Sequence, residues 1–149
     1  MMQRLRPSAL DDVGLVETLK EEVRAWQARQ PDTKYRLNIA GNLDMLGDLV
    51  NITIYRIVQE CLTNIAKHSI ATEVDIQLSL VDVGHKHNLY LEVRDNGMGM
   101  KPQSLGRGFG LIGMRERAEA LNGKFELLTD SSAGMTVAAT LPLSGSEES

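Results

Sequence analysis

Apolar residues recur along the chain with two different periods, and each period predicts one kind of secondary structure. A repeat of three to four residues is typical of a helix with one buried face. The sequence predicts three such helices, over residues 16–26, 48–68 and 111–121. Pro31 limits the first of them, and Asn122-Gly123 stops the last.

Alternation of apolar and polar residues marks five further segments as strands. These are residues 35–39, 74–80, 89–93, 124–129 and 135–143, and a polar turn at 84–88 joins the second and third. Strands in sequence with three or four helices predict the α+β class. We expect a two-layer α/β sandwich, in which the helices pack on one face of a mixed or antiparallel sheet.

The chain has no internal repeat and no long linker, so one domain is expected over residues 16–143. Residues 1–15 are interpreted as the end of a preceding helical region with its linker, and the polar tail 144–149 as disordered. The net charge of -4 argues against a nucleic-acid module. No apolar run approaches the ~20 residues that span a bilayer. The single cysteine, Cys61, lies among apolar residues and is expected to be a buried structural thiol.

The predicted helix 48–68 carries a polar stripe beside its apolar face. Glu60 and Asn64 are one turn apart, and Lys67 and His68 continue the stripe one turn further. We expect this stripe along the rim where the helix meets the sheet. Carboxylate or amide oxygens there suit Mg²⁺, and an ammonium suits phosphate. A solvated face with a Glu60–Asn64 hydrogen bond is the alternative interpretation.

Six of the 13 glycines fall within residues 97–113, which indicates tight turns or the close approach of a ligand. Asp95 ends a predicted strand just before Gly97 and Gly99. Its carboxylate is suited to accept a hydrogen bond from an exocyclic amine such as that of adenine. A plain turn would use the same residue types, so both interpretations stay open.

Gly106, Gly108 and Gly110 lead directly into the helix that starts at Leu111. Helix starts expose unpaired N–H groups, and the helix dipole favours anions there. The spacing therefore favours a phosphate cradle, but a glycine-rich turn alone is weakly specific. It matches neither the P-loop nor the dinucleotide fingerprint, because no strand immediately precedes it.

Four motifs in a fixed order carry a resemblance to a known family. A helix with Glu-x-x-x-Asn precedes a strand ending in Asp-x-Gly-x-Gly; Gly-x-Gly-x-Gly at a helix start and Gly-x-Thr in the last strand follow. Residues 49–143 thus resemble the ATPase family shared by DNA gyrase, the ninety-kilodalton heat-shock chaperone, mismatch-repair ATPases and histidine kinases. Residues 56–68 and 109–117 are similar to signatures of the nitrate/nitrite and hexose-phosphate sensor kinases. Residues 5–15 resemble the segment that links their dimerisation helices to the catalytic domain.

The resemblance implies a Bergerat-type ATP-binding fold and a role for individual residues. Asp95 would bind the adenine amino group with help from Thr136, and Asn64 would ligate Mg²⁺ on the triphosphate. Glu60 would stand beside the metal, so that Glu60 and Asn64 form the implied catalytic pair. Residues 98–105 would be the ATP lid. The implied ATP-binding set is Asn64, Lys67, His68, Asp95, Gly97, Gly99, Gly106, Gly108, Phe109, Gly110, Leu111 and Thr136.

The same resemblance implies transfer of the γ-phosphoryl group to a histidine on a separate dimerisation domain, with a response regulator as partner of the full-length protein. No acidic residue follows His68, His85 or His87, unlike a typical acceptor histidine, so none is expected to accept phosphate. We expect a cytoplasmic domain without nucleic-acid or membrane contacts, whether or not the full-length protein is membrane-anchored. Two alternatives stay open: an anti-sigma-factor-type serine kinase, and a non-catalytic nucleotide-binding regulatory domain.

Overall fold

The chain forms three helices and five strands in the regions that the computed structural model describes, which are residues 14–43, 46–68, 70–84, 86–97, 110–130 and 134–143. In chain order the elements are α1 (Gly14–Arg29), β1 (Lys34–Ala40), α2 (Asp48–His68), β2 (Glu73–Val83), β3 (Lys86–Asp95), α3 (Leu111–Ala120), β4 (Lys124–Asp130) and β5 (Gly134–Pro142).

The five strands form one mixed sheet in the order β1-β2-β3-β5-β4. β1 pairs with β2 in parallel, and the other three pairs are antiparallel. The hairpin between β2 and β3 is tighter than the predicted turn at 84–88, because Val83 already pairs with Lys86. Gly84 takes a φ of 64°, a left-handed conformation that glycine adopts without steric cost. Polar residues that read as a loop in the sequence thus belong to the strand ends.

The core lies between the sheet and the helices, and the two faces of the sheet differ in chemistry. Leu89, Leu91 and Val93 of β3 are at most 2% exposed and turn toward the helices. The intervening positions carry polar side chains, such as Tyr90, whose hydroxyl donates to Glu92 Oε1 at 2.7 Å. This period of two confirms the predicted α+β fold, with helices on one face of a mixed sheet.

Helix α1 is tied to the rest of the domain by a glutamine on its last turn. The Gln27 side-chain amide donates to the Thr33 carbonyl at 2.7 Å, and its oxygen accepts from the Tyr35 N–H at 3.1 Å. Glu22 of the same helix accepts from the Tyr55 hydroxyl of α2 at 3.2 Å. Of the predicted boundary segment 1–15, residues 1–13 lie outside the described residues, as does the tail 144–149, whereas Gly14 and Leu15 belong to α1. Among the helices described, none is long and apolar enough to cross a membrane.

Candidate nucleotide-binding site

Asp95 is the last residue of β3 and one of the most buried polar residues of the domain, with 2% of its surface exposed. It pairs with Val74 of β2 on one side and with Met135 of β5 on the other. One carboxylate oxygen accepts a hydrogen bond from the Gly97 N–H at 2.8 Å. A buried carboxylate is costly unless hydrogen bonds compensate it, so its position is held by specific contacts.

Asn96 fixes the strand end that carries Asp95. Its side-chain oxygen accepts from the N–H groups of Thr72 and Glu73, both at 2.9 Å. Its amide donates to the Thr72 hydroxyl at 2.9 Å. The start of β2 and the end of β3 are therefore tied together beside the buried carboxylate.

Gly134 brings β5 against the same strand end. Its φ of 95° lies in the left-handed region. A Cβ at this position would overlap the Asp95 carbonyl oxygen and come within 2.8 Å of its carbon and 3.0 Å of the Asn96 Cα. These obstacles are backbone atoms, which do not swing aside, so only glycine permits the close approach.

Thr136 does not share a sheet face with Asp95. The antiparallel register pairs Asp95 with Met135 and pairs Thr136 with Arg94. Successive strand residues point to opposite faces, so Thr136 turns toward the polar face while Met135 turns toward the helices. The structure thus does not support the expected help from Thr136 in binding the base. The alternation of Met135, Val137 and Ala139 in the sequence was the signal that could have found this.

Asn64 of α2 is more buried than its expected place on a polar rim, with 3% of its surface exposed. The helical period alone does not show which other elements cover a position, so the burial of Asn64 could not be predicted from the sequence. Glu60, one turn earlier, is half-buried, and Lys67 and His68 are exposed at the end of α2. The predicted stripe therefore runs from a buried amide to an exposed cationic helix end.

Gly110 joins the glycine-rich segment to the polar stripe of α2. It is the N-cap of α3, with φ 68° and no side-chain cap. A Cβ on Gly110 would lie 2.5 Å from the Glu60 Oε2 and 2.6 Å from its Cδ. The first turn of α3 holds no acidic residue, and Leu111 itself is buried in the core. The uncapped helix start, with its N–H groups, therefore lies directly beside the carboxylate of Glu60.

Cys61 packs behind this arrangement. Its Sγ lies 3.7 Å from the Sδ of Met114 in α3, and the residue is 1% exposed. Burial raises the pKa of its thiol far above the usual range, and the negative charges of Glu60 and Asp95 raise it further. The prediction of a buried structural thiol is confirmed, and its electrostatics indicate that both carboxylates are near it.

Of the remaining residues singled out in the sequence, His87 lies far from Asp95, and the others lie outside the described residues. His87 is exposed and pairs with Asp82 at 2.6 Å in the β2–β3 hairpin. His87 and Asp95 are separated by eight residue steps along β3, roughly 26 Å of strand, so His87 is remote from this site. Within the described ranges no group of three or more His, Cys, Asp or Glu side chains is arranged to hold a metal ion. Gly99, Gly106, Gly108, Phe109, His85 and the lid 98–105 lie outside the described residues.

The architecture is that of the catalytic domains of histidine kinases. A histidine kinase domain from the blue-light activated kinase EL346 of Erythrobacter litoralis superposes with a TM-score of 0.67 at 20% identity, covering 90% of this chain and 63% of that one. Residues 50–145 match the family described as Histidine kinase-, DNA gyrase B-, and HSP90-like ATPase. This chain belongs to that family, and the resemblance found in its motifs is thereby confirmed.

Curated relatives of this chain include several bacterial histidine kinases. The kinase/phosphatase UhpB of Salmonella typhimurium is 34% identical over 95% of this chain and 27% of its own length. The kinase/phosphatase DegS of Brevibacillus brevis is 32% identical over 96% of this chain and 36% of its own. The oxygen sensor histidine kinase NreB of Staphylococcus carnosus is 31% identical over 93% and 39%. The chain thus spans only about a quarter to two fifths of these relatives.

Proposed function

We propose that this domain binds Mg-ATP and donates the γ-phosphoryl group to a histidine on a separate dimerisation domain of the same sensor kinase. The proposal rests on two features, each with a carboxylate close enough to the buried Cys61 to raise the pKa of its thiol. One is the buried carboxylate of Asp95. The other is the uncapped start of α3 at Gly110, in contact range of Glu60 on α2.

Each feature matches one part of a nucleotide. Asp95 accepts a hydrogen bond from the adenine amino group, because a carboxylate without its proton is an acceptor only. The first N–H groups of α3 bind phosphate oxygens, since helix starts carry unpaired donors and a partial positive charge. Lys67 and His68, in the last turn of α2, add donors for the same anion.

Magnesium fits the oxygens that α2 offers. Mg²⁺ usually takes one or two protein oxygens and completes its shell with phosphates and water. Asn64 and Glu60 would supply such oxygens from neighbouring turns of α2. When bound, Mg²⁺ neutralises charge on the phosphates.

Phosphoryl transfer depends chiefly on positioning the reacting groups and on stabilising their charge, and the proposed site has residues for both tasks. The start of α3 would hold the phosphates, Asn64 would ligate the metal ion, and Glu60 would stand beside that ion. The accepting histidine is proposed to come from outside, because no acidic residue follows His68, His85 or His87 and because His87 is paired with Asp82 far from Asp95. The partners proposed are therefore the histidine-bearing helices and, through the full-length protein, a response regulator. The similarity of this chain to the histidine kinases UhpB, DegS and NreB favours this assignment.

The decisive experiment is phosphotransfer in trans with γ-labelled ATP. The domain alone is expected to take no label, whereas adding a dimerisation domain that carries the acceptor histidine should produce an acid-labile, base-stable phosphate on that partner. Replacing Asn64 by Ala should greatly reduce the transfer in Mg²⁺. Acid-stable phosphate on a partner serine would instead support the serine kinase alternative. ATP binding without transfer to any partner would support the regulatory domain.

A further inference from the structure

Met135 stands beside the carboxylate that the proposed function assigns to the base. It is the register partner of Asp95 in the antiparallel pair of β3 and β5, and it is 6% exposed. Directly opposed residues on one face have Cβ atoms about 4.5–5.5 Å apart. A flexible thioether therefore lies against Asp95 on the face that turns toward the helices.

The other sheet neighbour of Asp95 is also apolar. Val74 of β2 pairs with it and is 0% exposed. Neither Val74 nor Met135 carries a hydroxyl or an amide. The nearest hydroxyl along β5, that of Thr136, belongs to the residue opposite Arg94 and turns to the polar face. On the described part of the sheet, the polar side chain of Asp95 thus lies between two apolar register partners, Val74 on β2 and Met135 on β5.

We propose that Met135 is a further binding residue, which forms the apolar wall on which the purine ring rests, while Asp95 recognises the edge of the base. This inference rests on the proposed function. Methionine sulfur makes favourable contacts with aromatic rings and adapts its shape to them, but it is at best a weak acceptor. The wall therefore contributes affinity for any purine. The carboxylate contributes the choice, because it accepts from the 6-amino group of adenine and repels the 6-oxo group of guanine.

This division of roles predicts different effects from two variants, measured with ATP and with purine riboside triphosphate, which lacks the 6-amino group. Met135→Ala should lower the affinity for both nucleotides by a similar factor of about 10, the loss expected for removing one packed side chain. Asp95→Asn should weaken ATP much more than the purine analogue and reduce the preference between them. Met135→Leu should keep both affinities within about threefold, because the apolar volume is conserved.

Val137→Ala is the matched control for packing. Val137 is the next residue of β5 on the same face, paired with Val93 and 1% exposed. Its truncation should lower the unfolding midpoint and leave both affinities unchanged at a temperature where the domain is folded. Met135→Val, which suits a strand, repeats the test with a milder truncation if the alanine variant does not fold.

The outcomes separate the inference from the proposed function. Equal losses for the two nucleotides in Met135→Ala, with Val137→Ala unchanged, support the wall. Unaltered affinities in a folded Met135→Ala or Met135→Val protein, or a loss confined to ATP, would overturn it while the ATP site stands. A wild-type domain that binds neither nucleotide would overturn both.

Discussion

Replacing Gly110 by alanine tests whether the close contact between the start of α3 and the Glu60 side chain requires a glycine at position 110. Gly110 has a φ of 68°, where an L-residue carries strain of roughly 1–2 kcal/mol. The new Cβ would also lie 2.5, 2.6 and 2.8 Å from three atoms of the Glu60 side chain. Glu60 must then swing away, which moves its carboxylate from the uncapped helix start.

Gly84 supplies the matched control, because its φ of 64° is almost the same and a Cβ there would meet nothing within 4 Å. Gly84→Ala therefore measures backbone strain alone, and we expect it to lower the free energy of unfolding by about 1 kcal/mol. Gly110→Ala should cost about 1–3 kcal/mol beyond that, the range typical of overpacking. Only Gly110→Ala should weaken the binding of Mg-ATP, since Gly84 lies in the hairpin at the other end of β3.

Urea denaturation and calorimetric titration with Mg-ATP give the two quantities for each variant. A double variant that adds Glu60→Ala separates the steric term, because truncating Glu60 removes the atoms that the new Cβ would meet. In that background Gly110→Ala should cost no more stability than Gly84→Ala. Equal destabilisation by the two glycine substitutions in the wild-type background, together with unchanged ATP affinity, would refute the idea that Gly110 is required by its contact with Glu60.

Three further outcomes are expected. Asn64→Ala should lower the free energy of unfolding by about 1–3 kcal/mol, because the side chain is 3% exposed and interacts with its surroundings. The same variant should weaken the binding of ATP more in Mg²⁺ than in EDTA. Equal losses of affinity in both buffers would contradict a metal role. Cys61, whose thiol pKa is raised by burial, should react with a thiol reagent at pH 8 only as the domain unfolds, and fast labelling of the native protein would contradict its burial. Burial, and then the hydrogen bond to Glu92, raise the pKa of Tyr90 to about 12. The folded state thus holds this proton more tightly than the unfolded state, so stability should fall as the pH rises from about 10 to 12, and Tyr90→Phe should flatten that fall in urea titrations.

The sequence predicted those parts of the fold that depend on one long, regular period. Helix α2 spans Asp48–His68, as the apolar repeat had indicated, because a helix of this length buries one continuous stripe. The β2–β3 hairpin was less predictable. Its last pair, Val83 with Lys86, lies beyond the apolar alternation and is held by backbone pairing that side chains do not reveal.

The candidate site shows a similar division between local and non-local information. Asp95 was identified as a strand-end carboxylate because the residues around it are adjacent in sequence. The place of Thr136 depended on which residue of β5 faces Asp95, and a shift of one position moves a side chain to the opposite face. The contact between Gly110 and Glu60 joins residues 50 positions apart, so only the packing of α3 on α2 reveals it.

Two glycines with positive φ each lie against a residue that carries a carboxylate, Gly134 against the Asp95 backbone and Gly110 against the Glu60 side chain. Gly134 lets β5 approach the backbone of Asp95, and Gly110 lets α3 begin against the side chain of Glu60. Buried or half-buried carboxylates reduce stability unless donors surround them. At Gly110 the missing side chain places the start of α3, with its unpaired N–H groups, next to the Glu60 carboxylate. A nucleotide that brings an amine to Asp95 and a metal-bound phosphate to Glu60 would offset the cost of holding these carboxylates away from water, so we expect saturating Mg-ATP to raise the free energy of unfolding.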